Sequence, residues 1–118
     1  MNPIQQFMLL RLYTDENAHI GDQRLVDDLV RRARAAGLAG ATVLRGRIGF
    51  GSSKAPIHEH HALGVGDNMP MVVEIVDRED KLRAFAANLA GMHNIGLVTL
   101  ERVEVLAIPS AQPDASGA

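Results

Sequence analysis

Two short stretches of the chain carry residue types from which a binding site can be built. The first, residues 37–51, reads Gly-Leu-Ala-Gly-Ala-Thr-Val-Leu-Arg-Gly-Arg-Ile-Gly-Phe-Gly, and Arg45, Arg47 and, just beyond, Lys54 set cations among its glycines. Glycine lets a backbone turn with positive φ or approach a ligand where a Cβ would clash. The stretch can therefore hold an anion, and on spacing alone it reads equally as a strand followed by a loosely structured hairpin. The second is His58-Glu59-His60-His61. On an extended segment His58 and His60 point the same way, so their imidazoles can share a divalent metal, with Glu59 or Asp67 brought in by a flexed loop. Structural sites usually need four placed ligands and catalytic zinc three plus water. The other reading is a polar loop whose histidines face solvent or make subunit contacts that change with pH. His19 and His93 stand alone and read as turn and cap residues.

Enzyme chemistry finds little support. Ser52 and Ser53 lack a nucleophile-elbow context, and neither a Walker-type Gly-Lys-Ser/Thr nor a helix-borne zinc motif is present. The carboxylates fall mainly at helix starts and solvent-facing positions. Glu74 is the exception, an acid inside a strand pattern, for which pairing with Arg11 is the simplest account.

The elements that must position these residues follow from hydrophobic periodicity. Residues 4–13 read as a strand, with Phe7, Leu9, Arg11 and Tyr13 on one face and Met8, Leu10 and Leu12 on the other. Residues 14–21, rich in Asp, Asn and Gly, form a connection. Over 22–36, Leu25, Leu29, Ala33 and Ala36 recur at helical spacing, with i,i+4 pairs Asp27–Arg31 and Asp28–Arg32, and Gly37 ends the helix. A second strand over about 41–48 leads into a loop over 49–68, long for a compact domain and of the kind that is functional or disordered. A third strand spans 71–76, followed by a helix over about 78–92 with Asp77 as N-cap and Leu82, Phe85, Leu89 and Met92 as its buried stripe. A fourth strand covers 97–108, and residues 109–118 form a tail of disordered composition.

The order is strand, helix, strand, twice over. A faint repeat supports it: residues 9–16, LLRLYTDE, match 72–79, VVEIVDRE, in pattern. Two split βαβ units packed together give an α+β fold, the ferredoxin-like plait, with a four-stranded antiparallel sheet and both helices on one face. The first and third strands are expected to be adjacent and parallel, with Arg11 beside Glu74 on the open face. Phe7, Leu9, Tyr13, Val72 and Val76 share that face, an apolar surface that subunits should cover.

Length and composition are consistent with this. The 118 residues fit one domain, expected over 1–108, with enough chain to bury a core without staples. The absence of cysteine excludes disulfides and thiol chemistry. Twelve Lys and Arg against fourteen Asp and Glu give a net charge of -2, so there is no global attraction for nucleic acid, and Arg31, Arg32 and Arg34 read as a solvated helix face. Without a secretory pattern or a membrane-length apolar run, a cytoplasmic protein is expected.

Within this frame the segment Gly37-x-x-Gly40-x-Thr42-Val43, leading through Gly49-Phe50-Gly51, resembles the second strand and mobile T-loop base of the PII superfamily of trimeric signalling proteins. Ala41-Thr42-Val43-Leu44-Arg45-Gly46, the Ile57-His58 pair, Met69-Pro70-Met71-Val72-Val73-Glu74 and Val103-Glu104-Val105 resemble, more closely, a bacterial and archaeal PII-like family of unknown function. The resemblance implies a cytoplasmic homotrimer with ligand clefts between neighbours, an adenine nucleotide as ligand, and signalling through the 49–68 loop to an enzyme or a membrane transporter. Carried over, Gly40 and Thr42 lie near the base of the cleft, Gly49, Phe50 and Gly51 form the loop base beside the ligand, and Gly96 belongs to the phosphate-binding turn. That turn here reads Met-His-Asn-Ile-Gly-Leu-Val over 92–98 and has no lysine, so the ligand is less charged or Arg45, Arg47 and Lys54 compensate. The tyrosine that classical members modify covalently has no counterpart in the loop. The alternative function is a metal-responsive trimer of the same architecture that binds a divalent ion through His58, His60 and His61.

Overall fold

The computed structural model describes residues 6–50 and 68–106. Residues 1–5, 51–67 and 107–118, which include most of the expected long loop and the expected tail, lie outside the described residues.

Strict alternation builds the centre. Strands β1 (Phe7–Asp15) and β5 (Pro70–Arg78) bury every second residue. Met8, Leu10, Leu12, Met71, Val73 and Ile75 face the helices and are buried, as the period-two pattern requires. Between β1 and the first helix lies a hairpin of two short strands, β2 (His19–Ile20) and β3 (Gln23–Arg24), turned at Gly21 with φ +61°. Helix α1 (Leu25–Ala35) therefore starts later than periodicity implied. It buries Leu25, Val26, Leu29 and Ala33, whereas Ala36, expected on the stripe, lies past its end and is exposed. Asp27 and Asp28 in its first turn and Arg32 and Arg34 in its last complement the helix dipole, and Arg32 pairs with Asp28 at 2.6 Å. Arg31 reaches Gln23 of the hairpin. Gly37, at φ +78°, stops the helix by adopting the left-handed region.

Strand β4 (Thr42–Arg45) is shorter than expected, and helix α2 (Glu79–Ala87) gives way to turns before Met92, with Gly91 at φ +91°. Leu82, Phe85 and Leu89 are buried nonetheless. Asp77 does not cap α2, whose N-cap is Arg78 with no side-chain bond. The Asp77 carboxylate is buried at the end of β5, where it accepts the backbone N–H of Arg78 at 2.7 Å and of Ala39 at 2.9 Å. It thus fastens the α1–β4 connection to β5. Strand β6 (Leu97–Val103) completes the sheet.

The four-stranded sheet runs β4-β5-β1-β6, every neighbouring pair antiparallel, and both helices cover one face: the ferredoxin-like plait. One expectation is corrected. β1 and β5, the first and third strands of the plait, are adjacent but antiparallel. Each helical crossover returns the chain parallel to the strand it left, two strand positions away, so the intervening slot is filled by a strand of opposite direction. Arg11 still meets Glu74, because parallel and antiparallel registers coincide at that one pair; elsewhere the partners exchange, Leu9 lying against Val76 and Tyr13 against Val72.

Candidate functional site: the neck of the 46–69 excursion and the open sheet face

β4 leaves the sheet edge at Arg45, and the chain returns at Pro70. The neck is tight. The Gly46 N–H donates to the Pro70 carbonyl at 2.7 Å, and a Cβ on Gly46 would lie 2.8 Å from Pro70 Cγ, closer than real contacts allow. Gly49 is less constrained, its virtual Cβ reaching Pro70 Cγ only at 3.5 Å.

Both arms of the excursion are tied to the two residues that follow β1. The Glu16 N–H donates to the Met69 carbonyl at 2.7 Å, and the Asn17 N–H to Asn68 Oδ1 at 2.8 Å. The Glu16 carboxylate takes the outgoing arm: its Oε1 accepts from Arg45 Nε at 3.3 Å and Nη2 at 3.2 Å, while Arg24 Nη1 stands 3.7 Å from Oε2. The Glu16 side chain is 21% exposed and that of Arg45 49%. Beyond the neck Arg47, Ile48 and Phe50 project into solvent.

The turn between α2 and β6 emerges at the same end of the sheet but at its other edge. Its anchors are the Gly96 N–H donating to the Tyr13 carbonyl at 2.8 Å, Thr14 Oγ1 donating to the Asn94 carbonyl at 2.5 Å, and Asn94 Nδ2 donating to the His19 carbonyl at 3.1 Å. His19 and His93, isolated in sequence, here line one cavity of about 200 Å³ with Ile20, Leu25 and Met92. The contact of His19 Nδ1 with the Asn17 carbonyl at 2.6 Å makes that nitrogen the donor.

The open face of the sheet has two kinds of row. Leu44, Val72, Tyr13 and Leu97 lie side by side across four strands, an apolar row with Leu44 and Leu97 about half exposed. The next row is Thr42, Glu74, Arg11 and Thr99. In it Arg11 Nε donates to Glu74 Oε2 at 2.9 Å, and Arg11 Nη1 to Glu101 Oε2 at 3.2 Å. The Glu74 hydrogen bond, with Glu101 and both carboxylate charges behind it, raises the guanidinium pKa against a smaller opposing effect of burial. The pairing of Arg11 with Glu74 expected from the sequence is thus present within a single chain.

The structure gathers part of the expected site. Gly40, Thr42, Arg45, Arg47, Gly49 and Phe50 lie along one exposed segment at the β4 edge. Gly96 lies at the β6 edge, three interstrand spacings away, or about 14 Å. Gly51, Lys54, His58, His60 and His61 lie outside the described residues. Among the described residues no group of three or more His, Cys, Asp and Glu is arranged to hold a metal, and no helix is long and apolar enough to cross a membrane. Sequence reasoning missed Glu16, Asn17 and Asn68. Only the polar composition of the segment after the first strand hinted at the first two, and nothing in the sequence pointed to Asn68.

A family model described as Uncharacterized ACR, DUF190, matches residues 7–105. The chain belongs to the DUF190 family. A curated relative, a UPF0166 protein of Aquifex aeolicus (strain VF5), is 41% identical over 98 residues, covering 83% of this chain and 91% of the relative. A second UPF0166 protein from the same organism is 26% identical over 98 residues, covering 83% and 95%. Among solved structures, B. subtilis GlnK is similar with a TM-score of 0.48 and 14% identity over 83% of this chain and 85% of that one. The DUF190 match runs from the first residue of β1 to just past β6, so the whole plait described above is the family's domain.

Proposed function

We propose that this DUF190 protein is a regulatory rather than a catalytic protein, a PII-like homotrimer that binds an adenine nucleotide in clefts between subunits and signals through the 49–68 loop to an enzyme or membrane transporter. The observation that supports it best is the pairing of two features at one end of the sheet. The glycine-built neck leaves the β4 edge and the 88–96 turn leaves the β6 edge, while the sheet face between them is open and carries the apolar row Leu44, Val72, Tyr13 and Leu97. Copies packed through that face bury its apolar rows and can bring the β4 edge of one against the β6 edge of the next, so that Thr42 and the neck of one subunit meet the Gly96 turn of its neighbour. The ligand then signals only through its differential affinity for the states of the excursion. The sequence motifs at 37–51 and 69–74 support the same reading.

The test is isothermal titration of metal-stripped protein with AMP, ADP, ATP, cyclic adenine nucleotides and Zn²⁺, on the wild type and on Thr42→Ala. At least one adenine nucleotide binds, and Thr42→Ala weakens it about tenfold while leaving the circular dichroism spectrum unchanged. Silence of every nucleotide, with Zn²⁺ binding lost in His58→Ala/His60→Ala, would refute this reading in favour of the metal-responsive one.

A further inference from the structure

Arg45, the last residue of β4 before the neck, is already engaged. Glu16 Oε1 accepts two of its donors at 3.2 and 3.3 Å, and Arg24 approaches the other carboxylate oxygen at 3.7 Å. Two guanidinium groups converge on a single carboxylate, which leaves one formal positive charge over. Charge-assisted N–H···O bonds are usually about 2.7–2.9 Å long, so the carboxylate sits loosely between its partners. Arginine's planar fork suits a two-oxygen acceptor, carboxylate or phosphate alike. Arg45 and Arg24 are each about half exposed, so an incoming oxyanion can reach them from solvent.

We propose that Arg24 and Arg45 form an oxyanion site that the chain's own Glu16 carboxylate occupies, and that a phosphate group gains Arg45 by displacing Glu16. The exchange has a built-in readout. The ties of segment 16–17 to the return arm run through backbone N–H groups, to Met69 O and Asn68 Oδ1, and survive rotation of the Glu16 side chain. The side-chain tie to the outgoing arm, through Arg45, does not survive it. Phosphate binding therefore removes the side-chain tie of the outgoing arm, which is then held only by the Gly46 N–H to the Pro70 carbonyl and the β4–β5 pairing, and leaves the ties of the return arm intact. The inference deepens the ligand-binding reading above and rests on it only for the biological ligand, because the site itself requires no nucleotide.

An exposed ion pair contributes little to stability, so its removal as a competitor raises ligand affinity modestly, about fivefold. The experiment titrates inorganic phosphate and, separately, AMP into wild type, Glu16→Gln, Arg45→Met and Glu16→Gln/Arg45→Met at low salt, where screening is weakest. Glu16→Gln keeps the side chain's size and removes its charge. It is expected to bind phosphate about fivefold more tightly than wild type, and Arg45→Met to lose that gain in the double variant. Tryptic cleavage after Arg47 is expected to quicken in Glu16→Gln without phosphate and in wild type with it. A parallel gain for AMP assigns the site to a nucleotide's phosphate, and a gain for phosphate alone assigns it to free oxyanions. Phosphate affinity in Glu16→Gln within twofold of wild type, or a gain that persists without Arg45, overturns the proposal. Failure of the Thr42→Ala test with the phosphate exchange intact overturns the nucleotide reading and leaves this site standing.

Discussion

Gly46→Ala is a sharp test of the neck because the structure supplies its own control. Gly46 is not in the left-handed region, so alanine can adopt its backbone conformation. A Gly→Ala change at such a position stabilises by about 0.4–1 kcal/mol through the unfolded chain. Against that, the new methyl would sit 2.8 Å from Pro70 Cγ and 3.3 Å from the Pro70 carbonyl oxygen. A proline ring and a backbone oxygen cannot swing aside as a long side chain does, and overpacking of this kind costs about 1–3 kcal/mol. The two ranges together leave a net destabilisation of up to about 2.6 kcal/mol, about 1.3 kcal/mol at their centres. At a urea slope of about 1.5 kcal/mol/M, a 1.5 kcal/mol loss lowers the unfolding midpoint by about 1 M. Gly49→Ala meets Pro70 Cγ only at 3.5 Å, ordinary contact, and is expected to be neutral or slightly stabilising. Pro70→Ala removes the offending ring atom, so the double variant with Gly46→Ala should recover part of the loss in a double-mutant cycle. Urea midpoints equal for Gly46→Ala and wild type, or no coupling to Pro70, would refute this account of the neck.

Two further perturbations probe what holds the site in place. Asp77→Ala leaves the Ala39 and Arg78 N–H groups without their carboxylate and is expected to cost about 1.5–3 kcal/mol in chemical denaturation, with Asp77→Asn retaining part of it because one acceptor remains. Arg11→Met leaves Glu74 and Glu101 without their shared cation on the open face. The pair is solvent-accessible, so the loss of stability is expected to be small, while sedimentation should show weakened self-association. Because the Arg11 pKa is raised from an already high value, its charge persists across the accessible pH range, and the stability deficit should shrink with added salt rather than vary with arginine titration.

Much of the fold was legible because alternation and helical spacing are local. The period-two pattern of 7–15 and 70–78 assigned both faces of the central strands correctly, and the strand–helix–strand order, repeated, led to the plait. The pairing of Arg11 with Glu74 was also legible, through the internal repeat, although the direction of the strands was not: the repeat matches residues by offset, and only closure of both crossovers decides that β5 runs against β1. Helix ends were misjudged where tertiary structure intervened. The 19–24 hairpin takes the first residues of the expected first helix, and buried Asp77 serves the Ala39 connection instead of the second helix.

For the site, residue types alone located the glycine-rich strand exit and its cations, and the cation count suggested an anion. The tertiary structure alone decided which of them is engaged. Glu16 and Arg45 are 29 residues apart, Asn17 and Asn68 are 51 apart, and Gly46 needs its missing Cβ because of Pro70 on the returning arm. Local periodicity sees only neighbours a few residues away. These contacts exist because β1, β4 and β5 lie side by side in one register, which places three distant chain ends at the same corner of the sheet.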